Sequence, residues 1–416
     1  MGPIVLFDKS FLQSLSVDES VWFDHFFIAN VCPVFFVEAL ADLEKPPRPG
    51  WTPEGEVAGI AAKFPELHGQ PNVYHMTLCE ANLLGHSVPM TGQILISGGR
   101  TATVAGKTGV VFDQPPETGA FLRWQNQQFS ELERMYAKYW RAQINSIDLG
   151  KLVASFRSMG IDGKGAQCLA DAVSIAGKFT EDPSRAADQV SLALLFLNAP
   201  TTIKTQILAS WEKQGKPPLS RYAPYAAYVL KVDLFFQLAL SANLIATTKP
   251  SNRMDIAYLY YLPFCMLFAS SDKLHRTCAP LFLRANQSLA WGPDLKRSLS
   301  ETNAWFKNLP TETRDLGITA FADVPPSVPH NSIIELWDKH LVPNWRELHQ
   351  RQPLSDPQKA KEVREAMDQL ISASKTQKQP SATGVENPNA MILRRRIKTQ
   401  KGSWFQIPKS LRERNP

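Results

Sequence analysis

Four acidic residues of this chain follow short apolar segments or lie on predicted helices beside them, where carboxylates can meet a ligand. They are Asp8, Glu38, Asp255 and Asp272. Carboxylate oxygens are the ligands that hard cations such as Mg²⁺ and Mn²⁺ prefer. A bound ion of this kind polarises a phosphodiester and activates water for attack on the phosphorus. The four acids are therefore candidate metal ligands and catalytic residues for phosphodiester hydrolysis, with Mg²⁺ or Mn²⁺ as the cofactor.

Two of these acids follow predicted strands. The apolar run at residues 4–7 predicts a buried strand that ends at Asp8. Residues 264–269 predict a second buried strand, which closes on a polar turn that carries Asp272. Ligands of open α/β sheets bind at the carboxyl ends of the strands. We therefore expect both acids at the ligand-binding edge of a sheet.

The other two acids belong to predicted helices. A strand predicted over residues 31–34 leads into a helix over 35–44, and this helix carries Glu38. Asp255 opens a short buried helix that precedes the later strand. Asp42 follows Glu38 by four residues and shares its helical face, so it is a further candidate metal ligand.

In the order of these pieces the chain resembles the PIN-domain nucleases. In that family an Asp ends the first strand and a second acid lies on an early helix. A third acid opens a later helix, and a fourth follows the fourth strand in a Ser/Thr-Asp turn. The resemblance covers roughly residues 3–45 and 228–290. The segments that carry it are Ile4-Val5-Leu6-Phe7-Asp8, Phe36-Val37-Glu38-Ala39-Leu40, Asp255 with Tyr258-Leu259, and Ser270-Ser271-Asp272-Lys273.

The resemblance implies both a fold and an activity. The implied fold is α/β, a PIN-like Rossmannoid core in which helices flank a short parallel sheet. The implied activity is metal-dependent cleavage of nucleic acid, with RNA favoured over DNA, and Ser271 would bind a phosphate or a metal-bound water. Lys9 and Lys273 stand beside acids of the set and are candidates for contacting substrate phosphates.

The two halves of this resemblance are separated by about 180 residues, which is where the chain departs from the compact family pattern. We expect this insertion to select substrate, bind a protein partner or regulator, or block the site until a signal arrives. Within it, residues 94–112 predict a β-hairpin and residues 121–144 predict one long amphipathic helix. The predicted parts are a first core half at 1–45, a mostly helical module at 46–227, a second core half at 228–300, a helical extension at 301–373 and a flexible basic tail at 374–416.

The positive charge of the chain is concentrated in this tail. The net charge is +6, yet residues 375–416 contain ten Lys and Arg against two Glu, so the remainder is close to neutral. Basic residues interleaved with an aromatic residue such as Trp404 suit a nucleic-acid backbone and its bases. Two alternatives to nucleic-acid binding are that the tail is simply solvated or that it docks on an acidic partner. The tail residues predicted to bind substrate are Arg394, Arg395 and Arg396.

Other features exclude whole classes of protein. No apolar run reaches the roughly 18 residues that span a bilayer. The first residues lack the basic region of a signal peptide, and the five scattered cysteines favour free thiols in a reducing cytoplasm. Gly106-Lys107-Thr108 lacks the glycine that a phosphate-binding loop needs at position 101.

The sequence therefore predicts a cytoplasmic, metal-dependent endoribonuclease with no membrane contact. The resemblance adds a bacterial toxin or a phage-defence effector as the biological context. Two alternatives stay open, a PIN-like interaction protein without catalysis and a structure-specific DNA nuclease. The oligomeric state is also open, with a homo-oligomer among the choices.

Overall fold

A parallel sheet forms the centre of the fold. The structure is a computed structural model that describes residues 2–158, 162–328, 331–350, 357–376, 391–393 and 395–412. In these residues strands β1 to β10 are Ile4–Phe7, Ile28–Val31, Gln70–Pro71, Arg100–Val104, Lys107–Phe112, Leu267–Ser270, Ser288–Trp291, Met391–Leu393, Gln400–Lys401 and Trp404–Phe405. Five of them pair in the order β3-β2-β1-β6-β7, and each pairing is parallel. The expected α/β class with a parallel sheet is confirmed.

Helices make up most of the remaining described chain. Helices α1 to α8 are Lys9–Ser14, Val17–Phe26, Pro33–Ala41, Pro53–Ala61, His75–Leu83, Pro116–Trp124, Glu131–Ser146 and Leu149–Ser158. Helices α9 to α15 are Leu169–Glu181, Ala186–Phe196, Thr201–Lys213, Leu219–Tyr222, Pro224–Ser241, Asn252–Ala257 and Lys273–Cys278. Helices α16 to α22 are Gly292–Lys307, Thr311–Arg314, Ile318–Phe321, Ser332–His340, Trp345–Gln350, Pro357–Thr376 and Lys409–Arg412. Turns of 3₁₀ helix lie at Asp42–Glu44, Pro183–Arg185, Tyr258–Phe264 and Ala279–Leu281.

Helix α13 joins the inserted stretch to the rest of the fold. It is buried around most of its circumference and packs against α5, α8, α9 and α12. Strand β3, which also comes from residues 46–227, pairs with β2 at the edge of the central sheet. One continuous set of buried apolar side chains runs through both parts. Within the described residues, no helix has both the length and the apolar character needed to cross a membrane.

The second predicted strand and the long predicted helix differ from the observed elements for local reasons. The second strand is Ile28–Val31 rather than 31–34, because Pro33 stands at the first turn of α3 and starts that helix early. The long helix predicted over 121–144 is wrong. The chain ends α6 at Trp124, passes through Gln127 at a φ of 55°, and begins α7 with a capping box at Ser130. The hairpin predicted within 94–112 is confirmed by β4 and β5.

The segment 395–412 packs on the body, so the expectation of a flexible tail is wrong for these residues. Arg395 donates to backbone carbonyls of residues 66–69 at 2.8 to 3.4 Å. The Trp404 ring is 2 % exposed and meets the Trp22 ring edge-on, with 4.8 Å between centroids. The physical reason is that aromatic burial and carbonyl hydrogen bonds hold a segment whose charge alone suggested a solvated chain.

Candidate acidic site

Asp8 stands where β1 ends. Its backbone N–H donates to the carbonyl of Ala269 at 3.2 Å, so the pairing of β1 with β6 continues up to the acid. The side chain is buried, and its Oδ1 caps α1 by accepting from the Phe11 N–H at 2.9 Å. Its Oδ2 accepts from the hydroxyls of Ser10 at 2.6 Å and Ser270 at 2.9 Å. Protein donors therefore hold both oxygens of Asp8.

A buried histidine, His275, supplies the charge that balances Asp8. Its Nδ1 lies 3.3 Å from Asp8 Oδ2, and its Nε2 donates to the backbone carbonyl of Asp255 at 2.6 Å. Burial opposes protonation, but the hydrogen bond and charge of Asp8 raise the pKa of His275 to about 9. Burial also opposes ionisation of Asp8, and the contacts of His275 overcome it and lower the pKa of Asp8. The sequence reasoning missed His275, although it lies one turn after Asp272 on the helix that Asp272 opens.

Glu38 extends from helix α3 toward Tyr258 and the other acids. Its half-buried carboxylate accepts from the Tyr258 hydroxyl at 2.6 Å through Oε2, and this hydroxyl accepts from the backbone N–H of Lys9 at 3.3 Å. Burial raises the pKa of Glu38, although the Lys9 ammonium and the Tyr258 hydrogen bond oppose the rise. Helix α14, which carries Asp255, packs against α3, and the negative charges of Asp255 and Asp8 add to the rise in the pKa of Glu38.

Asp255 and Asp272 share one lysine. The Lys249 Nζ lies 3.5 Å from Asp255 Oδ2 and 3.9 Å from Asp272 Oδ2. Asp272 also caps α15, with its Oδ1 accepting from the Leu274 N–H at 2.6 Å. Burial raises the pKa of Asp255, the charge of Asp272 adds to this, and Lys249 and His275 oppose it. The fold thus brings together Asp8, Glu38, Asp255 and Asp272, which we call the acidic cluster.

Asp42 and Lys9 bind each other rather than a ligand. The Lys9 Nζ lies 2.9 Å from both carboxylate oxygens of Asp42, and the Arg141 guanidinium lies 3.5 Å from one of them. Both Lys9 and Asp42 are largely buried in this pair. The predicted role of Asp42 as a metal ligand and that of Lys9 as a phosphate contact therefore do not fit this arrangement.

The remaining predicted contacts divide between the cluster and distant surfaces. The buried Oγ of Ser271 has no hydrogen-bond partner in the described residues, and Lys273 is exposed beside Asp272. Arg395 is bound to carbonyls of residues 66–69, which makes it a structural residue instead of a phosphate ligand. Arg396 is exposed, and Arg394 lies outside the described residues.

The oxygens of the cluster fit a divalent cation only in part. Those of Asp8 are all hydrogen-bonded, so Asp8 does not fit as a direct ligand here. Three carboxylates each keep one oxygen without a hydrogen bond from the described residues, namely Oε1 of Glu38, Oδ1 of Asp255 and Oδ2 of Asp272. These are hard donors, and the Lys249 ammonium already stands as a cation between the last two. In the described chain no group of three or more His, Cys, Asp or Glu forms a ready-made metal site.

Comparison of the chain with protein-family models, with curated proteins and with solved structures gives no match. The proposal of function therefore rests on the acidic cluster and on the resemblance in sequence.

Proposed function

We propose that the chain is a metal-dependent endoribonuclease whose Glu38, Asp255 and Asp272 hold Mg²⁺ or Mn²⁺. One observation carries the proposal: four acids from distant segments converge at the carboxyl edge of a parallel sheet, where α/β proteins bind ligands. Carboxylates whose pKa is raised by burial and by each other gain stability from an added positive charge. When bound, such an ion would polarise the phosphodiester and lower the pKa of water.

The other residues of the site position these three carboxylates. Tyr258 fixes the orientation of Glu38 through its hydroxyl. His275 contacts the backbone carbonyl of Asp255 and the carboxylate of Asp8, and so links α14, α15 and the end of β1. Lys273 is exposed beside Asp272 and would contact a substrate phosphate, whereas Lys249 is paired with Asp255 and Asp272. Burial raises the pKa of Glu38 and Asp255, and a bound cation would lower the pKa of both carboxyls.

A specific observation favours the second candidate, an interaction protein without catalysis. Asp8 and Asp42 are already satisfied by protein donors, and Lys249 neutralises part of the remaining charge. In that case the cluster is a structural charge network. Binding of Mn²⁺ by the purified chain separates the two candidates.

The first test combines metal binding with cleavage. The parent chain is titrated with Mn²⁺ in a calorimeter and incubated with matched RNA, single-stranded DNA and branched DNA. We expect Mn²⁺ binding and RNA cleavage, and we expect both to be lost in Asp255→Asn and in Glu38→Gln. Asp188→Asn, which removes an exposed carboxylate elsewhere, serves as the matched control and keeps both properties.

The outcomes separate the candidate functions. Mn²⁺ binding with cleavage of branched DNA only identifies a DNA nuclease. If the parent does not bind Mn²⁺, the proposal of a metal-dependent nuclease is wrong, and the interaction protein without catalysis is the remaining candidate. Cleavage that survives in both cluster variants shows that the reacting groups lie elsewhere.

A further inference from the structure

Helix α7 exposes a stripe of large apolar side chains. Its members are 47 to 61 % exposed and recur at the spacing of one helical face, and they are Leu132, Met135, Tyr136 and Tyr139. Scattered apolar residues are ordinary on a protein surface, whereas a contiguous stripe on one helix indicates a contact surface. We call this set the α7 stripe.

The opposite face of α7 is held against the body of the protein, so the stripe cannot be buried within the same chain. The opposite face holds Ala137 and Glu133, which are buried, and α7 packs with that face against α3. Arg141 anchors the same face by donating to the Ala41 carbonyl at 3.0 Å. The α7 stripe is therefore fixed toward the outside.

The charges beside the stripe complement a second copy of the same helix. Glu131 and Lys138 lie on one flank of the stripe, and neither has an ion-pair partner within the described residues. The spacing of the four apolar residues is symmetric about the midpoint between Met135 and Tyr136. An antiparallel copy of the helix therefore packs Leu132 against the copy's Tyr139, and Met135 against the copy's Tyr136. A two-fold axis through that centre then brings Glu131 within about 3 Å of the partner copy's Lys138 along the helix axis. We propose that the chain forms a homodimer through α7, packed antiparallel against its own copy.

Nucleic acid fits this surface less well than a second copy does. A single strand needs exposed aromatic residues together with free cations along its path. Two of the three cations of α7 are already engaged, since Arg134 pairs with Glu54 at 2.8 Å and Arg141 lies against Asp42. The flank also carries the negative Glu131, which repels phosphate. The contact is a single helix in width, so we expect a reversible dimer that depends on concentration.

Sedimentation velocity over a concentration series tests the dimer. We expect the parent to pass from monomer to dimer, and Met135→Glu, at the centre of the stripe, to remain monomeric. Glu131→Lys and Lys138→Glu should each weaken the dimer about tenfold, because each creates two like-charge contacts across the axis. The double variant Glu131→Lys/Lys138→Glu should restore the parental dissociation constant. Trp305→Ser, which removes an exposed aromatic residue of α16, is the matched control and leaves the dimer unchanged.

Either of two results overturns the proposal: a parent that stays monomeric at every concentration, or a dimer that Met135→Glu leaves intact. If the monomeric parent also binds single-stranded RNA and loses that binding in Met135→Glu, the stripe is assigned to nucleic acid instead. The test is independent of the nuclease proposal, because none of the substituted residues belongs to the acidic cluster.

Discussion

The buried pair of Asp8 and His275 joins three segments of the chain at the level of single residues. Asp8 caps α1 at the end of β1, and His275 reaches it from α15 while donating to the backbone of α14. A buried charge without a partner is strongly destabilising, so each member depends on the other for its ionised state. The pair therefore makes the stability of the fold depend on pH.

We expect the free energy of unfolding to fall as the pH rises through the folded pKa of His275. That pKa, about 9, lies above the ordinary value of 6.5. The contribution of His275 is therefore complete below about pH 6.5 and lost through about pH 9, a difference on the order of 3 kcal/mol. The pKa of Asp8 is lowered, so its contribution is present above the unfolded value of 3.8 and is lost as the pH falls through the lower folded value.

Urea unfolding at a series of pH values checks this prediction. Other groups also titrate in this range, so the parent is compared with the double variant Asp8→Asn/His275→Gln, which lacks both charges. The parent should lose more stability than the double variant between neutral and alkaline pH. Parallel curves for the two proteins would show that His275 is neutral in the folded state.

At the level of elements, the sequence predicted the existence of three buried strands, with exact bounds only for β1, and it did not predict the contacts between distant residues. β1 is where the fully apolar run of residues 4–7 predicts it, whereas β6, Leu267–Ser270, begins three residues after the start of its predicted run at 264–269 and ends one residue beyond it. β7, at Ser288–Trp291, is only half-buried and gave no comparable signal. Tyr258 and His275 contact acids 220 and 267 residues away in the chain. Local pattern cannot reveal such partners, because only the folded sheet brings them together.

The docked segment that follows β8 was mistaken for a free tail for a related reason. The charge of Arg395 and Lys401 suggested a solvated tail, yet both side chains donate to backbone carbonyls of the body. The sequence shows the charge of a residue directly, but it does not show which backbone carbonyls that residue will contact. Substitution of Arg395 therefore tests whether this segment has a structural role.

We expect Arg395→Met to destabilise the fold by about 1–3 kcal/mol, because carbonyls of residues 66–69 lose a charged donor. Arg396→Met is the matched control, since Arg396 is exposed, and it should change stability by less than about 0.5 kcal/mol. Urea unfolding measures both variants. A loss of RNA binding in Arg395→Met with unchanged stability would favour the phosphate-binding role instead.

For the whole molecule, the inserted stretch shares its core with the sheet. The Phe121 ring of α6 stacks on Phe64 with 4.1 Å between centroids and also meets Phe35 of α3. Helix α9, also from the inserted stretch, packs against α13. Elements that share buried contacts of this kind open together.

We therefore expect α6, α9, β1 and β6 to lose hydrogen-exchange protection at the same urea concentration. Peptide-resolved mass spectrometry measures this directly. If α6 and α9 lose protection while β1 and β6 keep it, the inserted stretch is a domain that unfolds independently.

The order of strands in the sheet has a consequence for the synthesis of the protein. β1 lies at the centre, and its partner β6 brings Ser270 to Asp8 across 262 residues of chain. At ribosomal speeds of about 5–20 residues per second, β1 waits roughly 13 to 50 s for this neighbour. Strands that pair over such distances are slow to form and leave apolar edges open to chaperones. A chain released before residue 255 carries Asp8 and Glu38 without their later partners, so an incomplete translation product lacks the acidic cluster.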